Sequence, residues 1–142
     1  MKYKIINDKI LLSLQKGDEI FTSINTVVKK ENLKFCWLSG IGAFENILLG
    51  SYSIEKKDYI KKKFKGEYEL TSLVGNVTIK DGKPFIHIHI NMSDVECKAY
   101  GGHLFSAYIT ATCEIIIDFL DYELFRKKSK EIGIHLWDLS CG

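Results

Sequence analysis

Three of the chain's four histidines fall in two short motifs, His87-Ile88-His89 and Gly101-Gly102-His103. The first lies within Phe85-Ile86-His87-Ile88-His89-Ile90-Asn91-Met92, an alternating stretch. Side chains alternate faces along a strand, so His87 and His89 share one face while Ile86, Ile88, Ile90 and Met92 share the other. At a rise of about 3.3 Å per residue the two imidazoles stand roughly 7 Å apart at Cβ, close enough to converge on one metal ion. A third imidazole, His103, delivered by a turn at Gly101-Gly102, would complete a three-histidine set with one coordination position open to water or a ligand. Zinc is the first expectation because neutral imidazoles suit it; ligand type alone leaves nickel, copper and iron open.

These motifs need elements to hold them. Asn7-Asp8 separates two short strand-like runs, Tyr3–Ile6 and Lys9–Leu14. From residue 18 to 31 the apolar residues Ile20, Phe21, Ile24, Val27 and Val28 recur at helical spacing, with Asp18 at the expected start and Lys29, Lys30 and Asn32 at the expected end. Beyond it the pattern predicts strands over Lys34–Ser39, Glu45–Ile54, Tyr68–Leu73, Gly75–Lys80, Phe85–Met92 and Leu104–Leu120, with a tight hairpin at Asp81-Gly82. Leu104–Leu120 carries an apolar register running Phe105, Ala107, Ile109, Ala111, Cys113, Ile115, Ile117 and Phe119, and a strand of that length predicts a bulge or bend. Arg126 to Lys130 is expected to be solvated, and Ile134-His135-Leu136-Trp137 to form a last strand, with His135 structural. The fold class that follows is α+β: a mostly antiparallel β-sheet with one main helix, about residues 18–31, in a single domain spanning 1–142.

Composition narrows the function classes. The chain has 142 residues, 46% of them hydrophobic, and a formal net charge of +2. It offers no leader-like or membrane-spanning apolar run, so a cytoplasmic location without membrane attachment is expected. Cys36, Cys97, Cys113 and Cys141 lack the paired spacing of zinc ribbons or redox motifs and read as free thiols. Lysine supplies all the basic residues but one, Arg126. Bidentate reading of guanine favours the guanidinium, so sequence-specific DNA recognition by this chain alone is disfavoured. The run from Lys56 to Lys65 interleaves lysines with Tyr59 and Phe64. Its Lys61, Lys62, Lys63 and Lys65 are candidate phosphate contacts for weak, non-specific nucleic-acid binding, although a solvated connecting segment is the stronger reading.

Five fragments, taken in order, resemble the plants-and-prokaryotes-conserved (PPC) domain in its stand-alone prokaryotic form. They are Ser39-Gly40-Ile41-Gly42-Ala43, Glu69-Leu70-Thr71-Ser72-Leu73-Val74-Gly75-Asn76, His87-Ile88-His89, Gly101-Gly102-His103-Leu104 and Thr112-Cys113-Glu114-Ile115. The resemblance implies an α+β domain that assembles as a homotrimer, with His87, His89 and His103 as metal ligands. The family's DNA-binding label comes from plant relatives with separate AT-hook segments, and no Arg-Gly-Arg-Pro sequence occurs here. Glu67 also stands where the plant pattern resembles a basic residue.

Glu114 is a candidate to orient a histidine or to act as a base on metal-bound water; hydroxyl partners or a subunit contact would equally account for it. Asn91 shares the histidine face and could meet a ligand or a water. The function expected is that of a PPC-type protein carrying a three-histidine metal site, with DNA binding implied only by resemblance. A small hydrolase or lyase using metal-bound water, and a ligand-sensing or scaffold trimer with a structural metal, are the alternatives. Whether it is an enzyme stays open.

Overall fold

In the computed structural model, which describes residues 1–140, the elements run β1 (Lys2–Ile6), β2 (Lys9–Gln15), α1 (Ile20–Lys30), β3 (Phe35–Ser53), β4 (Asp58–Lys80), β5 (Lys83–Ser93), β6 (Ala99–Leu120), β7 (Phe125–Lys128) and β8 (His135–Asp138). This is the α+β class with a mostly antiparallel sheet that the sequence pattern predicts. The helix is two residues shorter at its start than expected. Glu19, not Asp18, is its N-cap, its carboxylate accepting from the Thr22 N–H at 2.7 Å. Asp18 instead accepts from the Gln15 N–H at 2.9 Å. At the hairpin, Asp81 and Gly82 both adopt positive φ, 50° and 72°, as a tight two-residue turn requires.

The strands are longer than the pattern suggests. Lys34–Ser39 and Glu45–Ile54 fuse into β3, because Gly40 to Gly42 continues the strand through a register shift rather than breaking it. The lysine run likewise belongs to β4, where Lys61 to Lys63 pair with Gly50 to Leu48. In β6 the pairing passes from Leu49↔Leu104 to Leu48↔Ser106, so Phe105 is an extra residue on its strand. That bulge inverts the alternation: Leu104 and Ala107 are both buried, and Phe105 leaves the apolar register predicted for it. Ala111, in the same predicted register, is exposed.

The closure of the sheet positions the site. β3 pairs with both β4 and β6, β4 pairs with β5, and β5 pairs with the first residues of β6, so these four strands form a ring. Helix α1 packs Ile20, Ile24, Val27 and Val28 into the core together with Leu38, Phe44, Ile88, Met92 and Leu104. Burial of this kind is worth about 1.5–3 kcal/mol per large apolar side chain. Cys36 and Cys113 join the core, and burial pushes both thiols up to about 12. Cys97 is exposed, and Cys141 lies outside the described residues.

The segment after β6 differs most from expectation. Residues 125–128 form β7, which touches β4 in parallel at Ile79↔Phe125 and pairs antiparallel with β8. Arg126, expected in solvent, is partly buried.

Candidate metal centre

His87 and His89 project from β5, where Ile88, Ile90 and Met92 on the opposite face are sunk in the core. That burial holds the strand's register and aims both imidazoles away from the interior. His103 comes from β6, and its position pairs directly with His89. Gly101 and Gly102 are not a turn, as the sequence suggested; they lie inside β6, opposite Asn91 and Ile90. Their value is closeness. A Cβ at Gly101 would stand 2.7 Å from the Asn91 Oδ1 and 3.0 Å from the Ile90 carbonyl oxygen. A side chain there would displace the Asn91 amide and crowd the Ile90 carbonyl, so glycine suits the close approach of β6 to β5 that carries His103 to the pair.

The three side chains meet. Their ligating nitrogens all lie within 4.8 Å of one another, and the ring centroids are 5.0 to 5.3 Å apart. The Nε2 atoms of His87 and His89 are 3.1 Å apart. Two nitrogens on one tetrahedral zinc, each about 2.0–2.1 Å from the ion, would be about 3.3 Å apart. The Nδ1 of His103 is shut off from solvent, without a hydrogen-bond partner among the described residues. An orphaned imidazole nitrogen is costly, and a metal ion or a bound donor is what would relieve it.

Electrostatics favours the neutral, ligating form. Burial, then the Arg126 charge and then His89, bring His87 down to about 4. Burial, followed by His87, His89 and Lys61, does the same to His103. His89, the most exposed of the three, is also lowered by desolvation. At neutral pH three uncharged imidazoles therefore face one point.

Several residues of this site were not legible in the sequence. Phe105, released from the core by its bulge, stacks edge-on to His103 at 4.8 Å. The Tyr59 ring lies 4.8 Å from His103, and Lys61 Nζ sits 4.2 Å over Phe105. Arg126 reaches in from β7. Its Nε donates to the Thr78 hydroxyl at 2.8 Å, Nη1 to the His135 carbonyl at 2.7 Å and Nη2 to Asn76 Oδ1 at 2.9 Å. Nη2 also lies 3.4 Å from His87 Nδ1. The one available signal was that Arg126 is the chain's sole arginine.

Other candidates lie elsewhere. Glu114 is eleven residues beyond His103 on β6, exposed, and lines a different cavity with Leu11, Ile41, Val74 and Ile116. Asn91 donates to the Ser72 hydroxyl at 3.3 Å and so serves the β4–β5 pairing. Lys61, Lys62, Lys63 and Lys65 are exposed on β4, where alternation puts Lys62 on the face opposite its neighbours.

The profile of the Plants and Prokaryotes Conserved (PCC) domain matches residues 1–121. The chain belongs to this family. Among solved structures it is similar to a "metal-containing protein" from Archaeoglobus fulgidus, with 35% identity, 96% of each chain covered and a TM-score of 0.85. A plant- and prokaryote-conserved protein from Pyrococcus horikoshii shares 33% identity over 96% of this chain and 94% of its own, with a TM-score of 0.85. A "putative dna binding protein" from Bacteroides thetaiotaomicron superposes with a TM-score of 0.94 at 25% identity, covering 98% and 97%. No curated protein matches the chain. None of the described helices is long and apolar enough to cross a membrane.

Proposed function

We propose that this PCC-domain protein binds one divalent metal ion, zinc first, through His87, His89 and His103. The observation that carries the reading is the convergence of three neutral imidazoles from two adjacent strands. The Archaeoglobus fulgidus neighbour, described as metal-containing, supports it. Three protein ligands would leave a position for water or a ligand, and a zinc ion there would supply Lewis acidity and a more acidic water. Among the chain's own residues, Tyr59 and Phe105 would exclude solvent around His103. Elemental analysis after chelator treatment and zinc reloading tests the reading: about one zinc per chain is expected, falling to background in His87→Ala/His89→Ala. Retention of zinc by that variant would overturn it.

Assembly is a second proposal, carried by an apolar face. Leu11, Ile41, Val74 and Ile116 are each 42 to 56% exposed and line a cavity of about 710 Å³ across β2, β6, β3 and β4. Uncovered apolar surface of this kind marks an association site, and the homotrimer implied by the family resemblance would cover it. Glu114 would then stand at a subunit contact rather than beside the metal. DNA binding has weaker support, because the lysine run is a short exposed stretch of β4 in a chain whose formal net charge is only +2.

A further inference from the structure

Beside the histidines lies a second cavity, of about 440 Å³, within the size range of small-molecule sites. One wall is the sheet, with His87, His103, Phe85 and Phe105. The other is the segment from β7 to β8, which contributes Arg126, Gly133, Ile134 and His135 and lies beyond the residues that the family profile matches. This second wall is clipped down at its far end. The Tyr52 hydroxyl donates to the Ile132 carbonyl at 2.6 Å, and Lys57 Nζ to the Lys130 carbonyl at 3.1 Å.

The charge of this cavity is unbalanced. Arg126, Lys57 and Lys80 line it, against the single carboxylate of Asp58, which accepts from the Tyr59 N–H. Among the described residues no carboxylate pairs with Arg126. Its partners are a hydroxyl, an amide oxygen, a backbone carbonyl and an imidazole nitrogen, all neutral. A guanidinium has five N–H groups, and the three hydrogen bonds to oxygen leave one on each of Nη1 and Nη2 unspent. A partly buried cation without a counter-charge is costly, and the cost is recovered only when an anion arrives. A divalent ion on the histidines would add positive charge and deepen the imbalance.

The shape of the lining adds a second property. The Arg126 guanidinium lies 4.9 Å over the Phe85 ring, and Tyr59 and Phe105 stand 5.1 Å apart edge to face beside His103. These are flat apolar walls around a cationic floor. We infer that this cavity binds a small organic carboxylate with a flat apolar body, its charge held by Arg126 with Lys57 and Lys80 and its body lying between Phe85, Phe105 and Tyr59. The site adjoins the proposed metal centre but does not depend on it.

Calorimetric titration of the chelator-stripped full chain with benzoate and with benzamide, its neutral analogue, tests the inference. Benzoate is expected to bind once per chain and about tenfold or more tighter than benzamide, and Arg126→Gln to lower benzoate affinity about tenfold without changing that of benzamide. Equal binding of the two probes, no binding of benzoate, equally tight binding of inorganic phosphate, or unchanged benzoate affinity in Arg126→Gln would each overturn it. If Arg126→Gln does not fold, Lys57→Gln/Lys80→Gln carries the test: a several-fold loss for benzoate alone supports the site, and unchanged affinity overturns it. Zinc content is measured on separate aliquots of the same preparations after reloading with zinc. Failure of zinc loading with benzoate binding intact counts against the metal centre only, and the reverse outcome counts against the carboxylate site only.

Discussion

The two cavities share β3, β4 and β6 in their linings, yet they differ in what leaves them incomplete. The histidine cavity has surplus positive charge and an imidazole nitrogen without a hydrogen-bond partner among the described residues. The cavity holding Glu114 has surplus apolar surface, with Ile41 56% exposed in mid-strand. Missing charge is satisfied by a small ion or anion, whereas missing apolar contact needs an extended partner surface. One sheet thus carries a charged, ligand-sized cavity at one place and an exposed apolar face at another.

The comparison breaks most sharply at the histidines. His89→Ala is expected to remove metal binding while leaving the apolar cavity and the assembly unchanged, as read by elemental analysis beside sedimentation; loss of both together would mean that the two regions are one site. The next effect belongs to the other cavity. Ile41→Asp places a charge in the proposed contact and is expected to reduce a trimer to monomers in sedimentation equilibrium, with zinc content retained. An unchanged mass would remove that face from the assembly.

Arg126 sharpens the contrast at smaller amplitude. Arg126→Met leaves the Asn76 and Thr78 acceptors unsatisfied and is expected to cost about 1–3 kcal/mol in denaturant unfolding, without altering assembly. The pH response should also separate the regions. His87 and His103 titrate lower in the folded chain than in the unfolded one, so between about 4 and 6.5 the unfolded state binds more protons. Stability of the metal-free protein is therefore full above that window and declines as pH falls through it. A His87→Gln variant should show a shallower decline, and equal slopes would show that the decline arises elsewhere. The smallest effect is expected from replacing Lys61, Lys62, Lys63 and Lys65 with glutamine: a modest loss of mobility shift with mixed-sequence duplex at low salt, and a flatter salt dependence. No change at any salt concentration would exclude these lysines as phosphate contacts.

Much of this was legible in residue order. The alternation of Phe85 to Met92 put two imidazoles on one face, Asp81-Gly82 announced its hairpin, and the spacing of Ile20 to Val28 marked the helix, because each depends on local geometry alone. The alternation of β6 failed at Phe105, since a bulge arises from pairing with β3 and has no local signature. Arg126 failed for the same kind of reason. Its neighbours Lys127, Lys128 and Lys130 read as solvated surface, and only the return of β7 beside β4 carries the guanidinium to Thr78 and Asn76.

Residue order alone thus determined which groups could ligate a metal and which face of β5 they share. The closing of β3, β4, β5 and β6 into a ring decided that His103 meets the pair and that Glu114 does not. The division follows from range: periodicity acts over a few residues, whereas strand pairing and burial join positions far apart in the chain.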